Sequence, residues 1–257
     1  MRPHHLPPGV VGHSRTALTS SYAVIPPEGV LESRIPGISG TKIRILATPA
    51  IGANFAQMLL EIAQEGASTS LGEDGIEHFL YATEGEIELT CSGEHRVLAP
   101  GEYLFVAPGE RFSFRNISGA GASLVWLKKR YQPLAGTAPP QSFFGDQRWV
   151  ERVNKHTEGR FWQHLLPDDD PAFDMAMNIL SFAPGTYFPM IETHIMQHGL
   201  YMLQGQGMYL LGNNDWHECW SRDFIWMGPF CPQFFIATGW AETQYLLFKD
   251  VNRDIAL

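Results

Sequence analysis

The chain has 257 residues, 44% hydrophobic and 18% charged, which is enough for one large core or two small ones and too apolar for a disordered chain. Its formal charge of −9 argues against nucleic acid or an anionic membrane as the main partner, because both demand a basic face. Twenty-five glycines and 18 prolines require many turns and favour short strands over long helices.

Residues 1–20 mix His4, His5, Pro7 and Pro8 with polar residues and hold no apolar run. They read as a flexible N-terminal arm rather than a signal peptide, and His4, His5 and His13 as part of a loose tail. No apolar stretch reaches the length of a membrane span. Cys91, Cys219 and Cys231 are too few and too scattered for a disulfide framework and read as reduced thiols. A cytoplasmic protein is expected.

Beyond the arm, short apolar runs at 87–90, 103–106, 208–211, 224–226 and 243–248 are broken by Pro100-Gly101, Pro108-Gly109 and Gly212-Asn213-Asn214. Such spacing predicts an antiparallel sandwich or barrel, not alternating βαβ units. The chain also repeats itself. Asn54-Phe-Ala-Gln-Met-Leu-Leu-Glu-Ile-Ala63 falls on Asp174-Met-Ala-Met-Asn-Ile-Leu-Ser-Phe-Ala183, and His78-Phe-Leu-Tyr-Ala-Thr-Glu-Gly85 on His198-Gly-Leu-Tyr-Met-Leu-Gln-Gly205, both at a shift of 120. One inserted residue later, Ala107–Phe112 falls on Gly228–Gln233 and Val125–Lys128 on Leu246–Lys249. Two homologous halves follow, at 21–130 and 149–257. Residues 131–148, with Pro133, Gly136, Pro139, Pro140 and Gly145, are the expected linker.

In each half a glycine turn follows a Leu-Tyr strand, and the first half continues through Pro100-Gly-Glu-Tyr-Leu-Phe-Val-Ala-Pro-Gly-Glu-Arg-Phe-Ser-Phe-Arg-Asn116. These segments resemble the two motifs of the cupin superfamily, over roughly 40–128 and 160–249. The resemblance implies an all-β protein of two tandem jelly-roll barrels, a bicupin, each closing around a central pocket. Metal-binding cupins take ligands from the first motif and one more from the second. In the second half those slots carry Glu192, His194, His198 and Gln233. A carboxylate, two imidazoles and an amide oxygen form a mixed set that suits Mn²⁺, Fe²⁺ or Zn²⁺. In the first half the aligned residues are Gly72, Asp74, His78 and Phe112, which leaves that barrel without a metal. His217 and Glu218 match no ligand slot and are expected at the rim.

The order Glu-x-His-x3-His followed by Gln, in Glu192-Thr-His-Ile-Met-Gln-His-Gly-Leu-Tyr-Met-Leu-Gln-Gly-Gln-Gly207 and Trp226-Met-Gly-Pro-Phe-Cys-Pro-Gln233, is similar to the (S)-ureidoglycine aminohydrolases. The run Ser21-Tyr-Ala-Val-Ile-Pro-Pro-Glu-Gly29 shares that likeness. The resemblance implies a Mn²⁺-dependent hydrolase that turns (S)-ureidoglycine and water into (S)-ureidoglycolate and ammonia during allantoin and purine catabolism. It further implies one Mn²⁺ per chain, a small anionic substrate held by Glu192, Tyr209, Gln233, Tyr245 and Lys249, and a homo-oligomer, with an octamer among the expected states. Glu192 is the expected proton-transfer group. Tyr245 and Lys249 are four apart on one strand face, and the partners of Tyr209 and Tyr245 in the first half are Leu89 and Leu124. Lys249 is less distinctive, because Lys128 fills its slot in the metal-free half. Two other readings stand beside this one. An Fe²⁺ cupin dioxygenase would carry three histidines with the carboxylate later in the order, and a non-catalytic small-ligand-binding cupin would carry a fused DNA-binding segment, of which the sequence has no sign.

Overall fold

The structure, a computed structural model, describes residues 14–255. His4, His5 and His13 therefore lie outside the described residues, as does most of the expected arm. The chain forms strands β1 (Ala17–Leu18), β2 (Tyr22–Ile25), β3 (Ile38–Ala47), β4 (Phe55–Ser68), β5 (Ile76–Glu84), β6 (Ile87–Cys91) and β7 (Glu94–Leu98). Next come β8 (Glu102–Val106), β9 (Phe112–Asn116), β10 (Ala122–Arg130), β11 (Phe143–Asp146), β12 (Val153–Asn154) and β13 (Arg160–His164). The last are β14 (Met175–Phe182), β15 (His198–Gln204), β16 (Gln206–Leu211), β17 (Asp215–Trp220), β18 (Phe224–Met227), β19 (Gln233–Ala237) and β20 (Thr243–Asp250).

The internal repeat is visible in the sheet order. The first half pairs β8-β5-β10-β4, with β3 on β4, and the second pairs β18-β15-β20-β14, with β13 on β14. The opposing faces are β9-β6-β7 and β19-β16-β17. Each half is thus an antiparallel jelly roll with an apolar interior, formed by Leu60, Leu80, Leu104 and Leu124 in the first barrel and by Leu180, Leu200, Tyr245 and Leu247 in the second. The repeat glycine is needed for its backbone in both copies. Gly85 and Gly205 have φ of 72° and 78°, a region that side chains disfavour, and a Cβ at Gly205 would lie 2.7 Å from the Cα of Thr243.

The two barrels exchange their leading strands. Tyr22–Ile25 pairs with β18 of the second barrel, and Phe143–Asp146, within the expected linker, pairs with β8 of the first. Tyr22 and Phe143 are 121 positions apart, so these edge strands are themselves copies of the repeat. Between the barrels the outer faces of the two sheets bury Phe55, Phe79, Phe105, Met177, Trp226 and Phe248, and the Tyr103 hydroxyl donates across the interface to the Leu165 carbonyl at 2.8 Å. A cavity of about 840 Å³ opens between the halves, lined by Tyr81, Tyr201, Glu61 and Arg222.

One buried ion pair crosses the same interface. Lys129 pairs with Asp174, and Glu77 lies 4.0 Å away; all three are at most 3% exposed. Burial, and then the neighbouring Asp174, hold the Glu77 carboxyl well above the usual carboxylate range. Removing the cation leaves Asp174 uncompensated in a low-dielectric interface. Lys129→Met should lower the unfolding free energy by about 3–5 kcal/mol, measured by chemical denaturation against wild type.

Candidate metal centre

The second barrel gathers its polar groups where β15 and β19 meet the extended segment before β15. Glu192 sits there in an isolated bridge with Gln233, each backbone N–H donating to the other's carbonyl at 2.9 Å. The Phe230 N–H donates to the His194 carbonyl at 2.7 Å, and the Thr193 hydroxyl to the Phe230 carbonyl at 3.0 Å. This zipper turns Glu192 and His194 inward, while Ile191, Thr193 and Ile195 between them are exposed, the alternation of an extended chain. His198, the first residue of β15, comes from the adjoining strand.

The histidines are oriented by their backs. The Nδ1 of His194 faces the Met196 carbonyl and that of His198 faces the Phe248 carbonyl, each at 3.1 Å. A carbonyl only accepts, so each Nδ1 carries the proton, and each neutral ring presents a bare lone pair at Nε2. The two Nε2 atoms lie 3.1 Å apart. Burial, helped by the neighbouring His194, pushes His198 down to about 3, and burial also lowers His194, so neither ring takes up a proton near neutral pH. Two such nitrogens in a desolvated space form a donor pair open to a cation.

Gln233 joins the pair, its amide N–H donating to the Nε2 of His194 at 2.8 Å. A turn of the amide about its last bond presents the oxygen instead. The half-buried Glu192 carboxylate points toward Arg160, 3.9 Å from Nη2. Among the described residues no three His, Cys, Asp or Glu side chains gather into a ready-made cluster; two imidazoles converge, the third donor is an amide, and the carboxylate is drawn aside. The donor set nonetheless fits a divalent ion of intermediate hardness, with the Nδ1–carbonyl contacts in the supporting role usual for metal-bound histidine.

Below these groups, Tyr209 on β16 and Tyr245 on β20 are buried, and burial raises both phenols above their usual range. The two hydroxyls interact with each other, and that of Tyr245 meets no further partner. Lys249 stands opposite His198 across β15–β20, and its ammonium forms no ion pair with the described residues. Its counterpart Lys128 is spent on Glu73 at 2.9 Å. His217 lies at the rim, its Nε2 3.3 Å from the Tyr22 hydroxyl.

Arg160 was not anticipated. It is 2% exposed on β13, packs 4.4 Å over the Phe188 ring, and leaves Nε and Nη1 without partners. Strand register sets it on the inner face: Arg160 is opposite Phe182, and Leu180, two residues before, is opposite Tyr245. Asn178, next along that face and fully buried, has neither amide atom satisfied. A buried polar group without a partner costs about 1–3 kcal/mol, and more when charged. Arg160 and Asn178, together on one face, describe a pocket shaped for a polar guest.

The first barrel shows what fills such a space without a metal. Its equivalent bridge joins Leu71 to Phe112, so the residues matching Glu192 and His194 are Leu71 and Glu73, one position before the Gly72 and Asp74 expected from the sequence; the first half carries one extra residue between Glu73 and His78. His78 packs against Phe112 and Trp126 with ring centroids 5.1 and 5.8 Å away, and Trp126 Nε1 donates to its Nδ1 at 3.2 Å.

A cupin domain model matches residues 58–128. The (S)-ureidoglycine aminohydrolase of Escherichia coli K12 is 37% identical over 92% of this chain and 91% of its own length, and that of Arabidopsis thaliana is 32% identical over 99% and 83%. This chain belongs to the (S)-ureidoglycine aminohydrolase family. Among solved structures, protein Ylba from E. coli superposes with a TM-score of 0.86 at 34% identity, over 95% of this chain and 97% of that one. A putative glyoxylate-induced protein from Pseudomonas aeruginosa gives 0.87 at 34% identity, over 100% and 99%. Oxalate decarboxylase of Bacillus subtilis, at 12% identity and a TM-score of 0.69, shares the fold. No helix among the described residues is long and apolar enough to cross a membrane.

The contrast between the barrels gives a pH test. Burial, and then Lys128, push His78 down to about 4 from an ordinary 6.5, so below pH 6.5 the unfolded chain takes up a proton that the folded chain refuses. Its contribution to stability is intact above 6.5 and is lost as the pH falls toward 4, by up to about 1.4 kcal/mol per pH unit. His78→Phe should remove this share of the slope, measured as the difference between wild-type and variant unfolding free energies at pH 7 and pH 5.

Proposed function

We propose that this protein is a Mn²⁺-dependent hydrolase converting (S)-ureidoglycine and water to (S)-ureidoglycolate and ammonia, a step of allantoin and purine catabolism in the cytoplasm. The observation that carries the reading is the facing pair of neutral imidazoles beside Gln233 and Glu192, in a chain 37% identical to an enzyme of that name. Glu192, His194, His198 and Gln233 would hold the ion, which supplies Lewis acidity and a template for the substrate.

The protein's own groups do the rest. Lys249 and the hydroxyls of Tyr209 and Tyr245 hold the polar ends of the substrate and so fix which face of its central carbon meets water. The C–N bond to the amine breaks, a C–O bond to water forms, and Glu192 passes the proton from the water to the departing amine. The buried phenols stay protonated at neutral pH and each has a proton to donate. Exposed Met190, Ile191 and Phe230 beside the site support a homo-oligomer in which this rim is covered.

The test uses freshly generated ureidoglycine and purified protein supplied with Mn²⁺. Wild type should release ammonia. His194→Ala should lose both bound metal and activity, whereas Tyr245→Phe should keep its metal and lose about one to two orders of magnitude in kcat/KM. No ammonia from the wild-type protein would refute the reading.

A further inference from the structure

Two cations are buried almost completely among the described residues, Lys129 and Arg160. Lys129 is neutralised by Asp174. Arg160 has only a long ion pair, to Glu192 at 3.9 Å from Nη2 and beyond hydrogen-bond reach, while Nε and Nη1 meet no acceptor. The side chain is nevertheless held in place, packed 4.4 Å over the Phe188 ring and facing the interior that contains Tyr245 and Asn178. Once Glu192 turns to share a cation with His194 and His198, the guanidinium keeps its charge and loses its only neighbouring anion.

A buried, planar fork of N–H donors with a full charge and two nitrogens unsatisfied matches one kind of guest. Arginine binds carboxylates through two parallel hydrogen bonds, and a neutral carbonyl would leave the charge unanswered. We propose that Arg160 binds the substrate's carboxylate, an inference that rests on the aminohydrolase reading. The carboxylate anchored at Arg160 leaves the amine of the same carbon facing Glu192. Arg160 thereby sets the preference for an α-carboxylate over the corresponding amide.

The experiment is isothermal titration of the full-length, Mn²⁺-loaded protein with glycolate and with glycolamide, on wild type, Arg160→Gln and Arg160→Lys, with bound metal and thermal melting measured for each. Wild type should bind glycolate at least about tenfold more tightly than glycolamide. Arg160→Gln should abolish that preference, and Arg160→Lys, which keeps the charge without the fork, should weaken glycolate alone by several-fold. Metal content and glycolamide binding should not change. A wild type without the preference, or variants that retain it, would overturn the proposal. So would equal loss of both ligands together with the metal, which would make Arg160 a support for Glu192. Should Arg160→Gln not fold, the glycolate affinity of Arg160→Lys decides. An Arg160-dependent glycolate preference in a protein that releases no ammonia from ureidoglycine would refute the aminohydrolase reading and leave the carboxylate site standing.

Discussion

Two histidine rings, each tied by its Nδ1–H to a backbone carbonyl, aim their remaining lone pairs at one another across 3.1 Å. Neither ring can rotate away without abandoning a buried hydrogen bond, and burial keeps both from protonating. Like partial charges in a desolvated space are unfavourable without something positive between them. The fold supplies this arrangement by zipping Glu192–His194 to Phe230–Gln233 and by starting β15 at His198. The groups proposed to act on the substrate are disposed around that pair.

The sister barrel isolates the cause. It has the same strand order and keeps a histidine at position 78, yet Leu71 and Phe112 stand where Glu192 and Gln233 stand in the second. Aromatic rings fill the space, Trp126 donates to the imidazole, and Lys128 is drawn outward to Glu73. Two side chains in one β-bridge thus separate a packed core from a polar pocket. The exchange of β2 and β11 and the buried Lys129–Asp174 pair then fix one barrel against the other.

Much of this was legible in the amino-acid sequence, because a repeat held over seventy residues reports topology as well as ancestry. The tandem barrels follow from it, and so does the contrast between Gln233 and Phe112. The exact alignment in the first half did not follow, since its extra residue between Glu73 and His78 lies in an irregular segment where no periodicity marks its place. The strand exchange was also hidden. Tyr22–Ile25 and Phe143–Asp146 are short edge strands, and nothing in four residues says which sheet they join. Arg160 was invisible for a different reason: a single arginine in Gly-Arg-Phe-Trp carries no motif, and only the register of β13 on β14 shows that it faces inward. The sequence likewise placed Glu192 among the ligands by its slot but could not show that its carboxylate turns toward a buried guanidinium.

The most direct test of the central claim is an anomalous-difference map from crystals of the full-length protein grown with Mn²⁺. The account predicts one peak per chain within bonding distance of the Nε2 atoms of both His194 and His198, with the Glu192 carboxylate rotated from Arg160 toward it. A peak beside His78, or none between the two facing rings, would contradict it.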